Sequence, residues 1–286
     1  MRLSIVTINY NNAEGLRKTL ASVATQTYRD IEHVIIDAAS SDGSLDVIKE
    51  YVSANPNSHP FFKHFIKWVS EKDDGIYNGM NKGIRKATGA YVEILNSGDV
   101  LAAPDVTERM VKVLEKEEYP AILYGNMLKS YDGKKIINKD MCGGAGATES
   151  FLYFYKGTLN HDCAYIRRDL FEKYGMYNEE MKICSDWEWY ARAIAIGGEK
   201  AVYTNIDVTI FDMNGVSESH GKNAELIKKE RREYLEKILP ATILHDYDAF
   251  SFPIEQYQRL KKYHLWGLAY FIERVLFKLE KWRILR

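Results

Sequence analysis

Residues 70 to 99 hold the side chains best placed to do chemistry. Ser70-Glu71-Lys72-Asp73-Asp74-Gly75 is a polar turn ending in glycine, and Ile76-Tyr77-Asn78-Gly79-Met80-Asn81-Lys82-Gly83 opens a helix behind it. An apolar run from Tyr91 to Leu95 then stops at Asn96-Ser97-Gly98-Asp99, leaving one carboxylate at a strand end. Amides, a lysine and a carboxylate around such turns can hold a nucleotide and a divalent cation at the carboxyl edge of a parallel sheet. A further carboxylate, Asp186, lies in Cys184-Ser185-Asp186-Trp187-Glu188-Trp189. Ser185 and Glu188 read there as a capping box, and Asp186 suits the positive end of the helix.

These groups act together only if the elements carrying them end at one edge. Leu3 to Ile8 is a short β-branched run, a strand buried on both faces. Asn11 with Glu14 reads as a helix N-cap and its reciprocal partner, opening a helix to about Gln26. His33 to Asp37 is a second strand, and Ser40-Ser41-Asp42-Gly43 caps a helix with Leu45, Ile48 and Val52 on one stripe. Phe65 to Val69 is a third strand, followed by a helical face of Ile76, Met80, Ile84 and Ala87. Tyr91 to Leu95 is the fourth, and Pro104 opens a helix carrying Val106, Met110, Val113 and Leu114. Such alternation implies a parallel α/β sheet, whose ligands bind beyond the carboxyl ends of its strands. Thr7, Asn9, Asp37, Ser70 to Gly75 and Asp99 all fall at those ends.

The second half is less regular. Two strand-like runs flank Asp132-Gly133, a hairpin turn, and Cys142 to Thr148 is a glycine-rich loop. Residues 160 to 196 read as a short strand and two helices, Val202 to Phe211 as a strand, and Ala224 to Leu239 as a charged helix. The tail from Gln256 to Arg286 reads as helical throughout. A net charge of −1 argues against a nucleic-acid binder. Three cysteines without C-x-x-C spacing fit a reduced, cytoplasmic protein. The start of the chain has no signal-peptide pattern, and no run approaches the ~20 apolar residues of a spanning helix. The turn Asn9-Tyr10-Asn11-Asn12 lacks G-x-G-x-x-G, and G-x-x-x-x-G-K-[ST] is absent, which excludes dinucleotide and P-loop sites.

Over about residues 1 to 220 the segments SIVTINYNN, HVIIDAASSDGS and SEKDDGIYNGMNKGIRKATGAYVEILNSGD resemble inverting family 2 glycosyltransferases. The resemblance implies an α/β fold of glycosyltransferase A type. That fold is a single sheet of mostly parallel strands flanked by helices, here a catalytic domain over 1–220 with a C-terminal helical extension over 221–286. It implies a nucleotide-sugar donor, with UDP the expected nucleotide, and a glycan or lipid-linked oligosaccharide acceptor. By resemblance Thr7 and Asn9 lie near base and ribose, Asp37 accepts a hydrogen bond from the base, and Asp74, Gly75, Asn81, Lys82 and Asn96 surround the nucleotide. Asp99 is the implied ligand of Mn2+ or Mg2+, with His220 a further one. Asp186 is the implied general base, and His161 and Trp187 lie toward the acceptor. Relatives usually carry two or three carboxylates where this chain has Asn96-Ser97-Gly98-Asp99. That thinning leaves open a non-catalytic nucleotide-sugar-binding protein, and a third reading is a scaffold for membrane or partner. The tail mixes Trp266, Phe271 and Phe277 with Lys261, Lys262, Arg274, Lys278, Lys281, Arg283 and Arg286. A helix of this kind lies at the inner face of a membrane, packs on the catalytic domain, or forms a homodimer contact.

Overall fold

A computed structural model describes residues 1–54, 65–131, 136–213, 223–262 and 264–284. Strands β1 (Leu3–Asn9) and β2 (Ile31–Asp37) are buried along their whole length, as a sheet covered on both faces requires. They alternate with helices α1 (Ala13–Ala24) and α2 (Ser44–Ala54), and β3 (Phe65–Ser70), α3 (Ile76–Lys86) and β4 (Tyr91–Ile94) continue the pattern. The two-residue β5 (Val100–Leu101) precedes α4 (Val106–Lys116), β6 (Ile122–Ser130), β7 (Ile136–Asp140) and α5 (Phe151–Lys156). Then follow β8 (Ala164–Arg167), α6 (Asp169–Tyr174), α7 (Ser185–Tyr190) and β9 (Ala201–Asp212). Helices α8 (Ala224–Ile238), α9 (Ala241–Lys262) and α10 (Trp266–Ile284) complete the described chain. By compactness the chain divides into Met1–Arg232, which holds the sheet, and Glu233–Arg286.

Among the described residues a nine-stranded sheet runs in the order β3-β2-β1-β4-β8-β6-β9-β5, with β7 on β6. β3, β2, β1 and β4 are parallel, and their register sets Asn9 opposite Asp37 and Asp37 opposite Ser70. Three strand ends therefore meet at one edge. β8 reverses the direction, pairing antiparallel with β4 and β6. An antiparallel neighbour begins where its partner ends, so the residues before Ala164 lie beside Asn96 to Asp99. β5 also pairs antiparallel with β9, which brings Asp212 to the same place. The sheet is thus mixed and mostly parallel, as the resemblance implied.

Leu16 and Leu20 of α1 and Val47, Ile48 and Tyr51 of α2 pack on Ile35 and Ile66, covering one face. Several local expectations shift by a residue. The α1 cap is Asn12, whose Oδ1 accepts the Gly15 N–H at 3.1 Å. Asn11 instead takes the left-handed region, at φ 48°, which asparagine tolerates. The α2 stripe runs through Val47, Ile48 and Tyr51, with Leu45 at its margin. On α3, Tyr77 turns inward and Ile76 outward. No capping box starts α7: Cys184 is the N-cap, and Glu188 reaches forward to Arg192 at 3.0 Å. The tail is two helices rather than one, and the expected turn at Asp132-Gly133 lies outside the described residues.

Candidate active site

Asp37, at the end of β2, is fully buried and accepts four hydrogen bonds. Asn9 Nδ2 donates at 2.8 Å, the Ser40 hydroxyl at 2.6 Å, the Ser40 N–H at 3.1 Å and the Ser70 hydroxyl at 2.6 Å. Those donors come from the ends of β1 and β3 and from the loop after β2, so the carboxylate ties three segments together. The Oδ1 of Asn9 is buried with no donor among the described residues, which leaves one acceptor at this end. Beside it Tyr10 is 68% exposed, an aromatic face at the carboxyl edge. The turn before α3 completes this side. Gly75 adopts φ 126°, which L side chains strain to reach, and its N–H meets Asp73 at 3.2 Å. Asp74 is exposed next to it.

A hydrogen-bonded chain crosses from the β4 turn to α7. Asn96 Nδ2 lies 3.0 Å from His161 Nε2, and His161 Nδ1 lies 3.0 Å from Asp186 Oδ2. The Tyr77 hydroxyl, with one proton to give, lies 2.5 Å from the Ile183 carbonyl and 3.0 Å from Asp186 Oδ1 and shares the proton between them. His161 reaches this edge because β8 runs antiparallel to β4, and Asp186 because α7 starts there. The Asp186 side chain keeps 14% of its exposure. Burial pushes its carboxyl up, but the hydrogen bond and charge of His161, with Tyr77, outweigh it and leave it below the ordinary value. Burial likewise opposes charge on His161, yet Asp186, Asp162 and Asp99 together raise the ring to about 9.

Asp99 is buried on the other side of Asn96. Its Oδ1 accepts the Asp212 N–H at 2.9 Å, and no donor among the described residues reaches its Oδ2. Burial, then the neighbouring Asp162, push its carboxyl well above the ordinary range. A buried carboxyl in that condition takes a proton or a cation. His220 lies outside the described residues, among which no cluster of three or more metal-ligating side chains occurs.

Other expected site residues serve the framework. Thr7 is fully buried with its hydroxyl 3.0 Å from His33, which in turn meets Tyr51 of α2. Its side chain therefore faces the helix layer. Asn81 is buried and spends its amide on Tyr177 N–H and C=O and on Glu179. Lys82 reaches back to the Lys72 carbonyl at 2.9 Å and to Glu71 at 3.1 Å, bracing the turn that carries Asp74 and Gly75. Trp187 is 2% exposed, its indole N–H donating to the Phe154 carbonyl and its ring lying under Arg231, so no face is open to an acceptor. Sequence reading passed over Tyr10, Tyr77, Glu179 and Asp212. Tyr10 lies inside SIVTINYNN and Tyr77 inside SEKDDGIYNGMNKG, and the glycine break at Gly75 is the signal that Tyr77 stands in the first turn facing the edge.

Residues 4–175 match the profile of glycosyl transferase family 2. An uncharacterized glycosyltransferase of Mycobacterium tuberculosis is 30% identical over 233 residues, covering 80% of this chain and 82% of the relative. Among solved structures, S. aureus TarS in complex with UDP-GlcNAc is similar with a TM-score of 0.62 at 16% identity, over 85% of this chain and 69% of that one. A mannosyltransferase from Pyrobaculum calidifontis, in complex with GDP-Man and Mn2+, is similar with a TM-score of 0.55 at 20% identity. That match takes in 81% of this chain and 60% of the mannosyltransferase. The structural matches establish a shared fold.

Proposed function

The chain belongs to glycosyl transferase family 2 and is a glycosyltransferase, and we propose that it moves a sugar with inversion from a nucleoside-diphosphate donor to a glycan or lipid-linked acceptor. The observation that carries this reading is Asp186. It is a partly exposed carboxylate, held deprotonated by His161 and Tyr77, at the edge where Asp37, Asn9 and Asp99 also end. Asp186 takes the acceptor hydroxyl proton as that oxygen attacks the anomeric carbon, and the diphosphate departs from the opposite face. Tyr10 offers a platform for the base, Asn9 Oδ1 accepts from its N–H, Asp37 with its four protein donors holds the Asn9 amide in place, and the Asp74-Gly75 turn lies toward the diphosphate.

Asp99 fits a divalent cation because its Oδ2 lacks a donor among the described residues. Asp99 would hold such a cation, Mn2+ or Mg2+, whose charge would offset the charge that grows on the leaving diphosphate. Helix α10, with its exposed apolar and cationic residues, is the segment for contact with a membrane that carries a lipid-linked acceptor.

Thermal unfolding with UDP or GDP, each with and without Mn2+, tests the donor assignment. A ligand that binds only the native state must raise the midpoint. A rise with UDP that grows with Mn2+ is expected. No rise with either nucleotide at millimolar concentration would sink the donor reading.

A further inference from the structure

We propose that Asp212 supplies the second carboxylate of the divalent-cation site, in the place that Gly98 leaves vacant. The inference rests on the glycosyltransferase reading above. Gly98 sits at φ 113°, a conformation that strains any L side chain, so the turn after β4 cannot cheaply present a carboxylate from that position. A Cβ built on Gly98 would lie 3.6 Å from both the Cβ and the Oδ2 of Asp212, and 3.5 Å from Asn12 Nδ2. The Asp212 carboxylate thus borders the space into which a side chain at 98 would project.

The sheet explains how it gets there. β5 and β9 pair antiparallel with Val100 opposite Ile210, and stepping that register back brings Gly98 opposite Asp212. The Asp212 N–H fixes the alignment by donating to Asp99 Oδ1 at 2.9 Å, while Asp99 Oδ2 receives no donor among the described residues. Thr19 holds the turn from beneath: its hydroxyl accepts the Gly98 N–H at 2.9 Å and donates to the Asp99 carbonyl at 2.7 Å. Asn12 Nδ2 secures it from the side through the Ser97 carbonyl at 2.9 Å.

Two carboxylates on two elements, with no nitrogen or sulfur in the set, suit a hard cation. Mg2+ and Mn2+ accept one or two protein carboxylates and complete their shell with water and diphosphate oxygens. Asp212 therefore restores from β9 the charge that the Asn96-to-Asp99 turn has lost.

Titration of the full chain with Mn2+ in the presence of UDP, reading free Mn2+ by electron paramagnetic resonance, tests the assignment. Asp212→Asn is expected to weaken Mn2+ binding by at least about tenfold, while its UDP affinity in EDTA stays that of the wild type. Wild-type Mn2+ affinity in Asp212→Asn overturns the proposal, and so does a matching loss of UDP affinity in EDTA, which marks a structural role. If the wild-type chain binds neither UDP nor Mn2+ with UDP, the donor reading falls and this inference falls with it. Where Asp212→Asn does not melt cooperatively, Asp212→Glu replaces it. Moving the oxygens by one methylene should change the preference between Mn2+ and Mg2+, and an unchanged preference overturns the proposal.

Discussion

At the scale of single residues, the protonation of Asp186 and that of His161 are one problem. Burial raises the carboxyl and lowers the imidazole, and their mutual attraction reverses both, so the pair is carboxylate and imidazolium at neutral pH. Asn96 fits that state. Its buried Oδ1 has no donor among the described residues, while its Nδ2 faces His161 Nε2. Turning the amide over gives the oxygen a donor in the protonated ring, an exchange of atoms that only an amide permits. His161→Gln removes the charge, so burial prevails and the pKa of Asp186 rises. The acid limb of kcat/KM, which falls as pH drops through that pKa, should then move to higher pH. An acid limb that stays in place in His161→Gln would remove His161 from this role. The raised pKa of His161 also adds stability that is complete below its unfolded value of about 6.5 and fades as pH rises through about 9. The denaturation midpoint of the wild type should therefore fall across that window, and His161→Gln should flatten the slope. Asp186→Asn should lower kcat by on the order of 10²–10⁴ and leave UDP affinity unchanged.

At the scale of elements, α3 is fastened to the segment before α7, and this sets the distance from Tyr77 to Asp186. Asn81 bonds both backbone groups of Tyr177, and Glu179 gathers Asn78, Asn81 and Arg85. Asn81→Ala strands the buried N–H and C=O of Tyr177, which should cost about 2–4 kcal/mol in urea denaturation. Lys82→Ala loses an ion pair with the exposed Glu71 and a solvent-accessible hydrogen bond to the Lys72 carbonyl, and should cost at most about 1 kcal/mol. Equal losses for the two variants would contradict this division of labour. Much of the scaffold was legible in the sequence because it is coded locally. β1 to β4 are apolar runs bounded by polar turns, and α1 to α4 carry their stripes at helical spacing. What stayed hidden was set at a distance. Nothing near Ala164 announces that β8 will enter the sheet reversed, yet that reversal delivers His161 to Asp186. The capping box at Ser185 and Glu188 satisfied the local pattern but lost to Arg192, one turn further along the helix. Asn81 and Lys82 looked like ligand contacts because a polar residue on a helix cannot show, from sequence, whether it faces a ligand or a neighbouring backbone.

At the scale of the whole molecule, the described residues of Glu233–Arg286 expose a run of large apolar side chains. Leu268, Tyr270, Phe271, Ile272, Val275, Leu276 and Phe277 of α10 are all exposed, Phe271 and Phe277 by about two thirds. Runs of three apolar neighbours wrap more than one face of a helix, and water seldom borders so large an apolar patch on a monomer. Arg274 and Lys278 stand exposed among them, and no helix of the described residues is long and apolar enough to cross a membrane. A headgroup interface accommodates both features, because apolar side chains enter the acyl boundary while cations meet lipid phosphate. The full chain should therefore sediment with phosphatidylglycerol vesicles and much less with phosphatidylcholine vesicles, and added salt should release it. Each cation near an anionic surface contributes about 1 kcal/mol, so reversing both charges in Arg274→Glu with Lys278→Glu should weaken vesicle binding by at least about tenfold. UDP affinity should not change, since neither residue belongs to the unit that carries Asp37, Asp99 and Asp186. Equal binding to both vesicle types would leave the cations without a purpose there. A doubled mass in light scattering that the same variant abolishes would assign α10 to a second copy of the chain instead.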